Sequence, residues 1–279
     1  MRVLLIAPSD GKWRGVGRGR LFNGRTFRFS LLSLLAVAAE TPAGVDVQIA
    51  DEQVDEVPLG GDFDLVGITC MTALAPRAYE LARAFRGRGI PVVLGGLHPT
   101  LCPGEALQHA DCVVVGEAEG IWPSLLADLS SGHLRRLYQA DPTMAAFRCK
   151  PLPRGRLDPR RYAPIHAVQA TRGCPHRCEF CSVSAASGGR QIRRPVDEVV
   201  DEIAALPGRR FIFVDDNLVA DRNYAGELFD RLAPLNRRWV TQCTLGAAED
   251  PTLLARMARA GCVGVFVGLE TFSESNLVG

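Results

Sequence analysis

Short aliphatic and β-branched runs alternate with stretches of helical period along the first half of the chain. Val3–Ala7, Val45–Ala50, Leu65–Cys70, Pro91–Leu94 and Cys112–Val115 are largely apolar without strict alternation, the pattern of strands buried on both faces. Between them Phe29–Glu40, Ala75–Arg86, Gly104–Ala110 and Trp122–Leu129 read as helices. Strand–helix alternation of this kind predicts an α/β fold with a doubly wound parallel sheet. Ligands of such sheets bind beyond the carboxyl ends of the strands. The segments Pro8–Arg20, Thr69–Leu74, Gly95–Thr100 and Gly116–Gly120 fall there.

The second half repeats the alternation. Ala167–Ala170, Phe211–Val214, Trp239–Cys243 and Val263–Gly268 are predicted strands; Val196–Leu206, Ala225–Leu232 and Pro251–Ala260 are predicted helices, the first with Pro195 ahead of it as helix starts favour. Successive β/α units predict part of a barrel, with chemistry at the strand carboxyl ends. Three polar groups lie at those ends: Asp215-Asp216-Asn217, Gln242 to Thr244 and Glu270-Thr271. The plain alternative for the first is a chain-turning Asx cluster.

Charge sharpens the division. Residues 1–132 carry 11 Lys/Arg against 15 Asp/Glu, residues 133–194 carry 13 against 3, and residues 195–279 carry 8 against 13. These are net −4, +10 and −5, which sum to the chain's +1. The basic stretch is proline-rich between Asp141 and Pro164, as connecting segments are. The expected organisation is a first domain at 1–132, a basic linker at 133–165 and a second domain at 166–279. The basic stretch reads either as attraction for an anionic ligand or as a solvated link between two acidic domains. A net charge of +1 over 279 residues argues against a nucleic-acid binder. The odd count of nine cysteines, three of them within eight residues, argues for a reducing cytoplasm and a metal site. No apolar stretch approaches a membrane span of about 20 residues.

Residues 11–28 hold six cations and no acid, with Gly15, Gly17 and Gly19 among them. The spacing Gly-x-Gly-x-Gly departs from the dinucleotide fingerprint, so a nicotinamide site is not expected. Gly95-Gly96 permits close backbone approach to a ligand, and Thr69 and Thr72 offer hydroxyls. The run Gly95-Gly96-Leu97-His98-Pro99-Thr100, then Pro103-x-Glu105-Ala106, then Ala110 to Glu119, resembles the cobalamin-binding domain at the front of many radical S-adenosylmethionine proteins. No histidine precedes His98, so the Asp-x-His-x-x-Gly loop of other cobalamin proteins is absent. The resemblance implies base-off cobalamin, contacted by Thr69, Thr72, Gly95, Gly96, Gly116 and Glu117, with His98 ordering the loop or touching the cofactor's periphery.

Cys174-Pro-His-Arg-Cys178-Glu-Phe-Cys181 carries the chemistry of the second half. Three thiolates at x3 and x2 spacing can hold an iron–sulfur cubane from one loop and leave one iron open. A Cys3His zinc site through His176 is the alternative, but zinc ribbons pair their C-x2-C motifs. The triplet, with Phe180 before its last cysteine, resembles the signature of the radical S-adenosylmethionine superfamily. The resemblance implies a [4Fe–4S] cluster that binds S-adenosylmethionine. It also implies an external one-electron reductant of flavodoxin or ferredoxin type and a small-molecule substrate. By the same likeness Asp215, Asp216 and Glu270 are expected to hold the methionyl amine and ribose of S-adenosylmethionine. The superfamily barrel usually has six strand–helix units. The ending Gly268 to Leu277 resembles the middle of longer relatives, which implies an incomplete barrel.

The function implied is methyl transfer to an unactivated carbon, with one S-adenosylmethionine giving the radical and a second restoring the methyl group of cobalamin. Other readings are a cyclase or rearrangement enzyme with the same cofactors, a methylthiotransferase with a second cluster on Cys70, Cys102 and Cys112, and a cobalamin carrier, sensor or inactive fragment. Cys70, Cys112 and Cys262 are expected to be small buried apolar residues.

Overall fold

The computed structural model describes residues 1–10, 31–141 and 147–273. The Gly/Arg segment at 11–28 and the first two residues of the expected helix at 29–40 lie outside them. The chain divides into two compact units. The first holds the described residues before 142 together with Cys149–Pro164; the second holds Phe147, Arg148 and the described residues from Ile165 onward.

In the first unit the strands are β1 (Arg2–Ala7), β2 (Asp46–Asp51), β3 (Leu65–Thr69), β4 (Val92–Gly95), β5 (Cys112–Val115) and β6 (Leu137–Gln139). They form one sheet of order β2-β1-β3-β4-β5-β6, parallel throughout. The helices are α1 (Leu32–Glu40), α2 (Ala75–Arg86), α3 (Leu97–Leu101), α4 (Pro103–His109) and α5 (Trp122–Ser130). The order reverses between β1 and β3, which makes their carboxyl ends the topological switch point. Along β1 the side chains alternate between two cores. Leu4 and Ile6 pack with Ala78, Leu81 and Phe85 of α2. Val3, Leu5 and Ala7 pack with Leu34 of α1 and Trp122 and Leu125 of α5. A strand covered on both faces needs no polar positions, so its sequence shows an apolar run rather than alternation.

The five expected strands are present. Two elements were not expected. Leu137–Gln139 adds an edge strand with only Tyr138 buried. Leu97–Leu101 turns helical inside the Gly95–Thr100 loop. Both are too short to show a period. The proline-rich segment at 149–164 lies on the first unit: Leu157 and Tyr162 bury against Leu35, Lys150 pairs with Glu40 at 2.9 Å and Arg161 with Asp55 at 2.5 Å, and Arg156 donates to the Val47 carbonyl at 2.6 Å. Much of its positive charge therefore has intramolecular partners.

The second unit carries β7 (His166–Val168), β8 (Thr171–Gly173), α6 (Ser182–Ser187), β9 (Gln191–Arg193), α7 (Val196–Ala205), β10 (Arg210–Phe213), α8 (Arg222–Leu232), β11 (Arg238–Gln242), α9 (Pro251–Arg259) and β12 (Cys262–Phe266). Strands β7, β10, β11 and β12 are neighbours in sequential order and parallel, as consecutive β/α units require. The core joins α7, α8 and α9 to an aromatic group of Phe211, Phe213, Phe229 and Trp239. Helix α8 begins one turn before the expected Ala225, because the Asp221 carboxylate caps it by accepting from Asn223 N and Tyr224 N, each at 3.0 Å. The antiparallel pair β8–β9 was not expected: Thr-Arg-Gly and Gln-Ile-Arg carry no apolar period.

Candidate active site at the strand carboxyl ends

In the first unit the loops after β3, β4 and β5 are joined by hydrogen bonds. Gly96 has φ +96° and ψ −167°, a region open essentially to glycine alone. A Cβ there would lie 2.9 Å from Thr69 Oγ1 and 3.0 Å from Cys70 N, so glycine lets the β4 loop rest on the β3 loop. His98 N then donates to the Cys70 carbonyl at 3.0 Å. Thr100 Oγ1 donates to the Gly96 carbonyl at 2.8 Å and accepts from Gly116 N at 3.0 Å. Thr69, Gly95, Gly96 and Gly116, four of the expected cofactor contacts, are thereby brought together. Gly95 keeps open space beside it, with only Val114 Cβ at 3.9 Å from where its own Cβ would stand. Glu117 follows Gly116 and is half-buried. The ends of β1 and β2 are tied separately: Glu52 accepts from Ser9 N at 2.9 Å and from Arg77 Nε at 3.0 Å.

His98 is 4% exposed. Its Nε2 lies 2.9 Å from the Tyr79 hydroxyl and its Nδ1 3.4 Å from Thr72 Oγ1. Tyr79 donates its one proton to Glu105 at 3.0 Å. With its proton directed at Glu105, the hydroxyl accepts from His98 Nε2, while Nδ1 faces the Thr72 hydroxyl. Burial, then Glu105, pushes the Tyr79 hydroxyl pKa well above its usual range, so that proton stays in place. His98 orders the loop bearing Thr72. Thr100 closes the run already singled out in the sequence, whereas Tyr79, which completes the His98 network, carried no signal of its own there.

The donor set in the second unit is the cysteine triplet. Cys174 and Cys181 are half-buried and Cys178 is exposed, as is Phe180 between them. Cys181 N bonds to the Cys178 carbonyl at 3.1 Å, and α6 begins directly after Cys181. The Ser184 hydroxyl donates to the His176 carbonyl at 2.9 Å. Among the described residues no three His, Cys, Asp or Glu side chains are gathered around a metal-sized centre. Three accessible thiols on one non-regular loop are nonetheless a soft donor set that suits an iron–sulfur cluster. By contrast, burial pushes the thiols of Cys70 and Cys112 up to about 12, which holds both as neutral, packed side chains. Cys262 is half-buried rather than buried, because β12 is the edge strand.

Two acids brace the entry to this loop. Asp215 follows β10 and is 2% exposed. It accepts from Ala170 N at 3.1 Å, from Thr171 N, and from Thr171 Oγ1 at 2.7 Å. Asp216 accepts from Gly173 N at 2.8 Å. Gly173 itself has φ +78°, and a Cβ there would collide with the Arg190 carbonyl; only glycine admits the β8–β9 pairing at the mouth of the loop. The Asp215 carboxylate is filled by its own chain, while Asp216 is only half-buried. Gln242 joins the group by donating to the Asp216 carbonyl at 3.4 Å. Glu270 is exposed beyond β12, with φ +52°, a conformation uncommon outside glycine.

Comparison with known proteins assigns both units. Residues 29–126 match the B12 binding domain and residues 168–278 the radical SAM superfamily. The chain is 34% identical over 268 residues to bacteriochlorophyllide d C-8(2)-methyltransferase of Chlorobaculum tepidum, covering 88% of this chain and 58% of that protein. It is 30% identical to the C-12(1)-methyltransferase of the same organism, covering 88% and 57%, and 27% identical to hopanoid C-2 methylase of Rhodopseudomonas palustris, covering 85% and 48%. The chain thus spans about half to three-fifths of the length of these relatives. Its fold is that of the radical S-adenosylmethionine methyltransferase TsrM from Kitasatospora setae, at TM-score 0.75, 20% identity, all of this chain and 61% of that one. A structure of TsrM holds cobalamin and a [4Fe–4S] cluster.

Proposed function

The chain joins a B12-binding domain to a domain of the radical SAM superfamily, and from this premise we infer a cobalamin-dependent radical S-adenosylmethionine methyltransferase that acts on an unactivated carbon of a small molecule. The observation that carries the reading is this pairing of domains, with Cys174, Cys178 and Cys181 in the second at the carboxyl edge of its sheet. The named relatives are methyltransferases and a methylase whose names specify numbered carbons. When bound, cobalamin supplies the methyl group and the cluster supplies the electron that cleaves S-adenosylmethionine.

In this reading the chain's own residues do three things. Cys174, Cys178 and Cys181 ligate three irons. Asp215 and Asp216 fix the backbone from Ala170 to Gly173, so that the first thiol has a defined origin; Asp216 and Glu270 remain the acids with a face toward S-adenosylmethionine. The stapled loops of Thr69, Gly95, Gly96 and Gly116, flanked by Thr72 and Glu117, receive the cobalamin, with His98 buried inside the loop. Among the described residues no helix is long and apolar enough to cross a membrane. A cytoplasmic setting and a flavodoxin- or ferredoxin-type reductant suit an oxygen-sensitive cluster and nine unbridged cysteines.

The test is anaerobic reconstitution with iron, sulfide and cobalamin, followed by turnover with methyl-deuterated S-adenosylmethionine and candidate small molecules. Deuteromethylated product together with 5′-deoxyadenosine supports the reading. Product of unchanged carbon count with 5′-deoxyadenosine indicates a rearrangement instead.

A further inference from the structure

Asn217 stands directly after the two bracing acids and does something different from them. It is 1% exposed. Its Nδ2 points at Cys174 Sγ from 3.9 Å, within reach for a sulfur acceptor. Its Oδ1 is buried with no hydrogen-bond partner. A buried orphan oxygen is costly, so an apolar residue of similar size would serve packing better. The backbone around it is held independently: Gln191 Nε2 donates to the Asn217 carbonyl at 2.7 Å and reaches Thr171 Oγ1 at 3.3 Å. The side-chain amide is therefore not needed to turn the chain. What it offers is a donor aimed at the Cys174 sulfur.

We propose that Asn217 is a positioning residue that donates a hydrogen bond to the Cys174 sulfur and raises the reduction potential of the cluster held there. A donor to a ligating sulfur draws electron density from it, which favours the reduced cluster; such hydrogen bonds are one of the protein's levers on cluster potential. The geometry also distinguishes the three ligands. Cys174 and Cys181 are half-buried and Cys178 is exposed to water, and Cys174 is the ligand that the Asn217 amide reaches. The inference rests on the cluster reading above, and its test separates the two.

The whole chain, reconstituted anaerobically, is titrated by electron paramagnetic resonance. Wild-type protein without about four irons overturns the cluster reading itself. With the cluster present, Asn217→Leu should keep its iron and shift the midpoint potential to more negative values. Asn217→Asp, of the same shape but anionic, should shift it further in the same direction. Unchanged potentials in iron-replete variants overturn the proposal, and so does a positive shift in either. If neither variant loads iron, the wild-type protein with 15N-labelled asparagine decides: a weak 15N coupling to the reduced cluster supports the proposal and its absence overturns it. A merely structural role would lower iron content or stability without moving the potential of the clusters that form.

Discussion

The two units each place their candidate ligand loops at the carboxyl end of a parallel sheet, yet they prepare them differently. In the first, three loops are already stapled to one another through Gly96, Thr100 and Gly116, and the sheet is packed on both faces. In the second, the packed core lies on the helix side. The thiols lie on a loop whose entry is fixed by Asp215 and Asp216 and which is otherwise held by few contacts, among them Ser184 to the His176 carbonyl. The lesson is one of who does the ordering. A large polar cofactor is received by a surface built beforehand, which limits the entropy lost on binding. A cluster adds its own bonds to its ligands, so the loop that would carry it needs fewer staples of its own.

The strongest test of that contrast removes the thiols. Replacing Cys174, Cys178 and Cys181 together with alanine should abolish iron binding while cobalamin affinity changes less than about twofold, since the two sites share no stapling residue. Iron assay and cobalamin titration of the full chain check both halves; loss of both cofactors would break the contrast.

A second test concerns the bracing. Burial pushes the Asp215 carboxyl from 3.8 up to about 7, opposed in part by the hydrogen bonds from Thr171 and Ala170. Between about pH 4 and about pH 7 the folded chain then keeps a proton that the unfolded chain has lost. Stability of the second unit therefore falls as pH rises through that window and levels above it, by at most about 4 kcal/mol. Asp215→Asn should remove this component. Denaturant midpoints of both proteins from pH 4.5 to 7.5 show it as a difference that changes with pH, and parallel curves would exclude it.

A third sharpens the first unit's side. Gly96→Ala forces a side chain into a glycine-only conformation and against Thr69 and Cys70. It should cost about 1–3 kcal/mol and weaken cobalamin binding while leaving iron content intact. The smallest effect is expected for Tyr79→Phe, which removes the partner of His98 and Glu105. A loss of about 1 kcal/mol is predicted in the first unit's thermal transition, with a change in the nitrogen chemical shifts of His98 as its tautomer is released.

Much of this protein was legible as sequence. Buried parallel strands impose long apolar runs, helices impose their own period, and a cysteine triplet imposes its spacing, so all three are written locally along the chain. The strands from Val3 to Val115 and the second unit's β/α repeats followed from that. So did the thiol set at 174, 178 and 181, and the glycine pair at 95 and 96. The short elements escaped because three residues cannot show a period: Leu137–Gln139, Thr171–Gly173 and Gln191–Arg193.

What the tertiary structure decided lies in contacts between residues far apart in sequence, which depend on strand register and on which way a side chain faces. Asp215 and Asp216 read identically along the chain; one turns inward onto Ala170 and Thr171, the other onto Gly173. Gly96 reads as room for a ligand, whereas the space beside it holds Thr69 and Cys70 of the same chain. The arginines from 154 to 161 read as a basic segment, and Arg156 and Arg161 find partners more than a hundred residues away, on β2 and just beyond it. Asn217 reads as a turn residue, and only the β7–β10 pairing brings its amide to Cys174. Composition and spacing state which groups a chain owns; packing decides which of them the chain itself consumes and which it leaves to face a ligand.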